Sequence, residues 1–175
     1  MDAAAIEAAR RGDRAAQAQL LTALQDVWFR FCLSQLRGDR DRAADATQET
    51  GMRFLRQLSS FRGESQLQTW SLSIALNVVR EIRRSRGYET LDAAPEPAGN
   101  TMSAVMRLVD EDESAVLKQT LASLPDRQRE AITLRFFEEL SVEETATIMQ
   151  CAAGTVKATV HQALRSLREK LKQLK

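Results

Sequence analysis

The sequence predicts an all-α protein of two small helical domains joined by a flexible linker, and three observations predict it. No run alternates apolar and polar residues as a half-buried strand would, and the long segments are rich in Ala, Leu, Arg, Gln and Glu. The three prolines stand at positions 95, 97 and 125, and nothing else in the chain breaks a helix as strongly. Charge divides the same way. Met1 to Thr90 holds 14 Arg against 11 acids, a net of +3; Leu91 to Ser123 holds 2 basic and 6 acidic residues, a net of −4; Leu124 to Lys175 holds 9 basic and 7 acidic, a net of +2.

Taken in order, the first half reads as helices near 3–11, 14–36, 41–58 and 66–85. Breaks fall at Gly12–Asp13, at Gly38–Asp39 and in the loop Ser59–Ser65. Ser65 followed by Gln68 has the pattern of a capping box at the start of the fourth helix. That helix carries Trp70, Ile74, Val78 and Ile82 four residues apart, so this face is expected to be buried, and its far end carries Arg80, Arg83, Arg84 and Arg86.

The stretch from Gly87 to about Val109 contains Pro95, Pro97, Gly99 and Asn100 with little periodicity. It reads as a linker stiffened locally by its prolines, which gives domains at 1–87 and 112–175 with the linker at 88–111. The second half reads as helices near 112–122, 126–138, 142–149 and 154–173. Pro125 suits a first helical position, where its missing N–H costs nothing, and Ser141 with Glu144 forms a second capping box. Val156, Val160, Ala163, Leu167, Leu171 and Leu174 stripe the last helix at three- and four-residue spacing.

The composition excludes several classes. With 43% apolar and 28% charged residues the chain suits a globular protein and not a disordered one. No apolar run approaches the roughly 20 residues that span a bilayer, and charges interrupt Met1 to Leu36, so neither membrane insertion nor secretion is expected. The expected location is the cytoplasm. Two distant cysteines, Cys32 and Cys151, and the single histidine, His161, give no set of about four ligands for zinc, so no metal or other cofactor is expected. Both cysteines read as small buried apolar residues. Two basic ends around an acidic middle suggest two DNA-facing modules, while the net charge of +1 makes binding depend on a larger partner or on a few well-placed contacts.

Three segments carry chemistry. From Leu140 to Leu167 a short capped helix, the turn Gln150–Ala153 and a longer amphipathic helix follow the helix-turn-helix layout, whose second helix enters the major groove. Thr155, Lys157, Thr159, His161 and Gln162 are expected off the apolar stripe, where Gln can read adenine and Lys can meet a phosphate or guanine. The alternative is an ordinary helical hairpin with a solvated face. From Phe61 to Arg86, aromatic and basic residues alternate around a Gly-containing loop: Phe61, Arg62 and Trp70, then Asn77 and Arg80. Single-stranded nucleic acid is held by such stacking faces and arginines, although Trp70 in a core with solvated arginines fits the same letters. Lastly, Asp45 and Glu49 lie four apart on one helix face with Gln48 beside them, a face suited to a protein partner with basic side chains.

Asp45-Ala-Thr-Gln-Glu-Thr50, Phe61-Arg-Gly-Glu-Ser65, Thr69-Trp70 and Ile74-Ala-Leu-Asn77 resemble, in order and spacing, region 2 of bacterial RNA polymerase sigma factors. Leu124-Pro125, Arg129, Leu134-Arg135, Ser141-Val-Glu-Glu144 and Gly154-Thr-Val-Lys157 with His161 resemble sigma region 4. The resemblance covers nearly the whole chain apart from the linker, and regions 1.1 and 3 are expected to be absent, as in the extracytoplasmic-function group. It implies a promoter-recognition subunit rather than an enzyme, with a region 2 bundle and a region 4 helix-turn-helix. Asp45, Gln48 and Glu49 are then expected to contact the clamp helices of core RNA polymerase. Phe61, Arg62, Trp70, Asn77, Arg80, Arg83 and Arg84 are expected to face the melted, single-stranded minus-10 element. Gly154, Thr155, Lys157, Thr159, His161, Gln162 and Arg165 are expected at the duplex minus-35 element. A separate anti-sigma protein is the expected regulator, holding both domains across the linker.

The chain departs from that pattern at Gly51, where Phe is usual, at Gln150 and Ala152, where Gly and Ser are usual, and at Thr159 and Gln162, where arginines are usual. Fewer charges on the recognition helix imply weaker or differently specific minus-35 contacts. Two rival classes remain open. A one-component repressor would hold operator duplex without polymerase. A protein-only adaptor would need the acidic face at Asp45–Glu49 and not the basic residues of either half.

Overall fold

The computed structural model describes residues 2–85 and 119–173. The expected linker at 88–111, the expected helix start at 112, Arg86 and Leu174 lie outside the described residues. The chain divides into two compact units, Met1–Leu33 with Asp39–Gly87, and Ser34–Gly38 with Tyr88–Lys175. All regular structure among the described residues is helical.

The first unit is built from α1 (Ala3–Arg10), α2 (Arg14–Gln35), α3 (Arg40–Gln57), a 3-10 turn (Leu58–Ser60) and α4 (Leu67–Arg84). Two of its expected breaks use one device, a glycine at positive φ followed by an aspartate that caps the next helix. Gly12 (φ 93°) precedes Asp13, whose carboxylate accepts from the Ala16 N–H at 2.9 Å; Gly38 (φ 84°) precedes Asp39, which accepts from the Arg42 N–H at 3.1 Å. The start of α4 differs from the expected capping box. Gln66 holds the cap position without a side-chain bond, and Ser65 is one residue too early to reach the first-turn N–H groups.

The core of this unit joins Leu24, Trp28 and Phe31 of α2 to Phe54 of α3 and to Leu72 and Leu76 of α4, all buried. On the expected apolar face of α4, Ile74 and Val78 are buried while Trp70 and Ile82 at its two ends are half-buried. Trp28 donates its indole N–H to the Ser71 hydroxyl at 2.9 Å, and Ser71 donates in turn to the Gln68 carbonyl at 2.8 Å. Ser71→Ala strands that buried N–H, so urea unfolding should report a loss of about 1–3 kcal/mol. Cys32 is buried, and burial pushes its thiol up to about 12 against weaker opposing pulls from Thr47, Thr50 and Arg83. Cys151 is only half-buried, because it sits in a turn rather than under a helix face.

The second unit contains helical residues 119–122, α5 (Asp126–Ile132), a π-helical turn (Thr133–Phe137), α6 (Val142–Met149) and α7 (Ala153–Gln173). Pro125 is the cap before α5 and not its first helical residue. The expected helix over 126–138 is α-helical only to Ile132. Beyond it the Glu138 N–H reaches back five residues to the Thr133 carbonyl, which widens the turn, buries Thr133 and Leu134 and leaves Phe137 exposed. Leu121, Leu124, Ile132, Ala163 and Leu167 form the core. Arg129, itself buried, donates to the Leu124 carbonyl at 2.7 Å and pairs with Asp126, so it closes the Leu124–Pro125 corner where backbone acceptors would otherwise be orphaned.

The Ser141–Glu144 capping box is present in both directions, at 3.1 and 2.8 Å. At the other end of α6, the Cys151 N–H bonds the Ala146 carbonyl and the Gln150 N–H bonds Thr147, a Schellman closure with Gln150 at φ 56°. A side chain in that left-handed well is strained by about 1–2 kcal/mol. Gln150→Gly should therefore raise stability by about 1 kcal/mol in thermal unfolding, once the added freedom of the unfolded chain is subtracted.

Candidate polymerase and nucleic-acid interfaces

The α3 face comes first. Asp45 and Gln48 are exposed side by side, whereas Glu49 is half-buried and already engaged. Arg53 donates to Glu49 at 2.6 Å and forks onto both oxygens of Glu81 on α4, each at 2.7 Å. These bonds, Glu81 first and Glu49 second, hold the Arg53 guanidinium above its usual range, and the same pair holds the Glu81 carboxyl below the usual carboxylate range. Glu49 to Arg53 is a helical i,i+4 pair legible in the sequence; Glu81 is 28 residues away and carried no such signal. Arg53 was missed for that reason.

From α2 and α3 to the loop before α4 and α4 itself, aromatic rings form one continuous ladder. Trp28 lies 5.2 Å from Phe54, Phe54 lies 5.7 Å from Trp70, and Trp70 lies 5.2 Å from Phe61, all tilted. Trp70 is packed against Phe54 and Phe61 and is still half-exposed. Phe61 is only 6% exposed, so its ring braces the ladder and is not itself an open stacking face. Trp28 and Phe54 supply the support beneath, a role that no helical spacing suggests.

Around the ladder, Arg62 is exposed and stands 4.0 Å from Glu64 in the loop turned by Gly63 (φ 74°). Asn77 and Arg84 are exposed and Arg80 is half-buried. Arg83 is buried at 8%, close enough to Cys32 to draw its thiol downward, so its guanidinium is not displayed with the other arginines. The helix thus brings Asn77, Arg80 and Arg84 to its surface and takes Arg83 inside.

In the second unit, Gly154, Thr155, Lys157 and Arg165 are exposed, and His161 and Gln162 are half-buried. Thr159 is buried at 8%, contrary to its expected place off the apolar stripe. The spacing explains it: position 159 is three residues after Val156 and four before Ala163, both fully buried, so it shares their face. The carbonyl of Ala152 accepts the first bonds of α7, from Thr155 at 2.9 Å and Val156 at 3.2 Å, with no side-chain oxygen to add a cap. Among the described residues no group of three His, Cys, Asp or Glu could hold a metal ion, and no helix is long and apolar enough to cross a membrane.

Residues 20–88 match the family described as Sigma-70 region 2, and residues 114–167 match Sigma-70, region 4. The RNA polymerase sigma-H factor of Pseudomonas aeruginosa is 31% identical over 97% of this chain and 93% of its own length. The ECF RNA polymerase sigma-E factor of Haemophilus influenzae is 30% identical over 99% of this chain and 96% of its own. Among solved structures, the sigma factor RpoE in complex with the anti-sigma factor NepR from Bartonella quintana superimposes with a TM-score of 0.68 at 28% identity, over 89% of this chain and 96% of that one. CnrH, solved in complex with the cytosolic domain of CnrY, shares the fold at a TM-score of 0.69 and 20% identity, over 97% and 96% of the two chains. Two sigma modules in sequence order, with full-length relatives of one kind, place this chain in the family of ECF sigma factors of bacterial RNA polymerase.

Proposed function

We propose that the chain brings core RNA polymerase to promoters through three surfaces. Asp45 and Gln48 meet the polymerase clamp, with Glu49 held in place by Arg53. The loop Phe61–Ser65 and the surface of α4, through Arg62, Trp70, Asn77, Arg80 and Arg84, receive the melted minus-10 strand. Gly154, Thr155, Lys157, His161, Gln162 and Arg165 of α7 meet the minus-35 duplex. The buried members of the expected sets act from within: Phe61 braces Trp70, Arg83 fixes the basic end of α4, and Thr159 seats α7. The domain limits 1–87 and 112–175 with a linker at 88–111 belong to this reading.

The observation that carries it is the ladder from Trp28 to Trp70 and Phe61, which backs a basic helix with a rigid aromatic edge. Single-stranded bases gain about 1–3 kcal/mol each from such stacking, enough to offset a few kcal/mol of unstacking when a base leaves the duplex. The chain is a non-enzymatic subunit in this reading; bond formation belongs to the polymerase, and the site of action is the cytoplasm. The test is gel filtration of the chain with core polymerase and labelled promoter fragments. A ternary complex that needs core supports the proposal, while retention of duplex by the chain alone would favour a repressor.

Lys157 stands exposed in the first turns of α7, where the helix dipole also attracts a phosphate. Lys157→Ala should weaken holoenzyme binding to all minus-35 sequences alike and reduce the salt slope by about 1, as filter binding over a salt series would show. Regulation follows the same lines. The Bartonella relative is solved with an anti-sigma factor, and an anti-sigma protein that blocks polymerase is proposed here too. Recovery from native cells in a tight complex lacking polymerase supports it; recovery only free or with core argues against it.

A further inference from the structure

Glu81 is the one acid in the sequence of α4, and it stands in the basic end that carries Arg80, Arg83 and Arg84. It is exposed, as is Arg84 three residues on. Side chains at that spacing share a helix face, and a carboxylate followed by a cation is the order in which they pair best. Left to itself, Glu81 would close on Arg84 and set a negative charge beside the strand that α4 is read to receive, where phosphates repel it.

Arg53 reaches Glu81 from α3. It donates to both Glu81 oxygens at 2.7 Å, while its Nε donates to Glu49 at 2.6 Å. A fork of this kind fixes the plane of the carboxylate as well as its charge, which the point charge of a lysine does not do. Arg53 does most to hold the Glu81 carboxyl below its usual range, and Arg84 adds a smaller pull, so two arginines share one acid and Arg53 has the stronger claim. With the side chains of Arg53 27% and Glu81 46% exposed, water screens the pair, and its effect on stability is small beside its effect on where the carboxylate points. Glu49 does not depend on Arg53 alone, since Arg56 stands 3.9 Å from the same carboxylate.

We propose that Arg53 is a positioning residue for the minus-10 strand: by holding both oxygens of Glu81 it keeps Arg84 out of an internal ion pair and turned toward a phosphate of that strand. The inference rests on the reading that α4 receives the melted strand. It gives Arg53 a part in opening the promoter through an acid and not by contact with DNA. Glu81 in turn ties α4 to α3, and the cation that covers it offsets the repulsion of an acid so near to DNA.

The experiment measures promoter opening by the permanganate reactivity of unpaired thymines, with excess core polymerase and the full chain. The variants are Arg53→Gln, Glu81→Gln, the two together, and Arg84→Ala, with core affinity and thermal unfolding measured beside them. Arg53→Gln should lower opening roughly tenfold, as Arg84→Ala does, with core affinity and melting temperature near those of the parent. Glu81→Gln should open like the parent. The double variant should recover to within about twofold of it, because no carboxylate is left to capture Arg84. A fork that only holds the fold together predicts another pattern, in which either single variant is impaired and the double is no better. That pattern, or normal opening by Arg53→Gln while Arg84→Ala is impaired, overturns the positioning role and leaves the minus-10 reading standing. Should Arg53→Gln fail to fold, Arg53→Lys decides in its place: it keeps the charge without the fork, and its loss of about threefold should again be suppressed by Glu81→Gln. If the parent opens no fragment of a genomic promoter library, or Arg84→Ala opens as well as the parent, the minus-10 reading of Arg84 falls and the inference with it.

Discussion

Replacing Asn77 and Arg84 together with alanine should leave the protein folded and bound to polymerase yet cut open-complex formation by roughly a hundredfold. Both side chains are exposed on α4, so neither substitution removes packing. In the proposed reading each removes a polar or charged contact to a strand that exists only once the duplex has opened. Two such contacts at about 1–3 kcal/mol each set the expected range. Permanganate reactivity of unpaired thymines measures the effect directly. A pre-melted template should restore part of the loss, since unstacking is then already done. Full melting by the double variant would remove α4 as the minus-10 surface.

The largest stability effect should come from Phe54→Ala. Phe54 is fully buried and stands between Trp28 and Trp70, so the truncation opens a cavity and breaks two ring contacts at once. Losses of about 3–5 kcal/mol are typical of such a site, against a total stability of about 5–15 kcal/mol for a whole domain. The variant should unfold at markedly lower urea, followed by tryptophan fluorescence. At temperatures where it still folds, an unbraced Trp70 should also weaken minus-10 binding. A loss under 1 kcal/mol would mean that the ladder is not what fixes Trp70. By comparison, Phe61→Ala at the ladder's end should cost less, because the ring touches one aromatic neighbour rather than two.

The helices were legible because their stops are chemically loud. Gly12–Asp13 and Gly38–Asp39 turned out to be paired turn-and-cap devices, and Ser141 with Glu144 a reciprocal box. Errors arose where one residue of register mattered. Ser65 lies one position before the true cap, Pro125 is the cap itself, and Thr159 shares the face of Val156 and Ala163 despite its hydroxyl. The π-helical turn after Ile132 had no sign at all, since no breaker stands there.

The candidate surfaces were legible in outline and not in accessibility. Sequence order grouped Phe61, Arg83 and Thr159 with their exposed neighbours, but packing buried the first two and helical register the third. The ladder and the Arg53–Glu81 fork join residues far apart in the chain, beyond the reach of helical spacing. Gly51, where the family pattern has Phe, has no explanation in the structure: an added Cβ would meet Leu21 and Trp28 only in ordinary contact.

The most direct test is transcription in vitro with purified core polymerase, the intact chain and a library of genomic fragments, followed by mapping of the start sites. Two-module promoter recognition predicts new starts that appear only when the chain is added and that share two upstream motifs at fixed spacing. Core polymerase giving the same starts with and without the chain would contradict it.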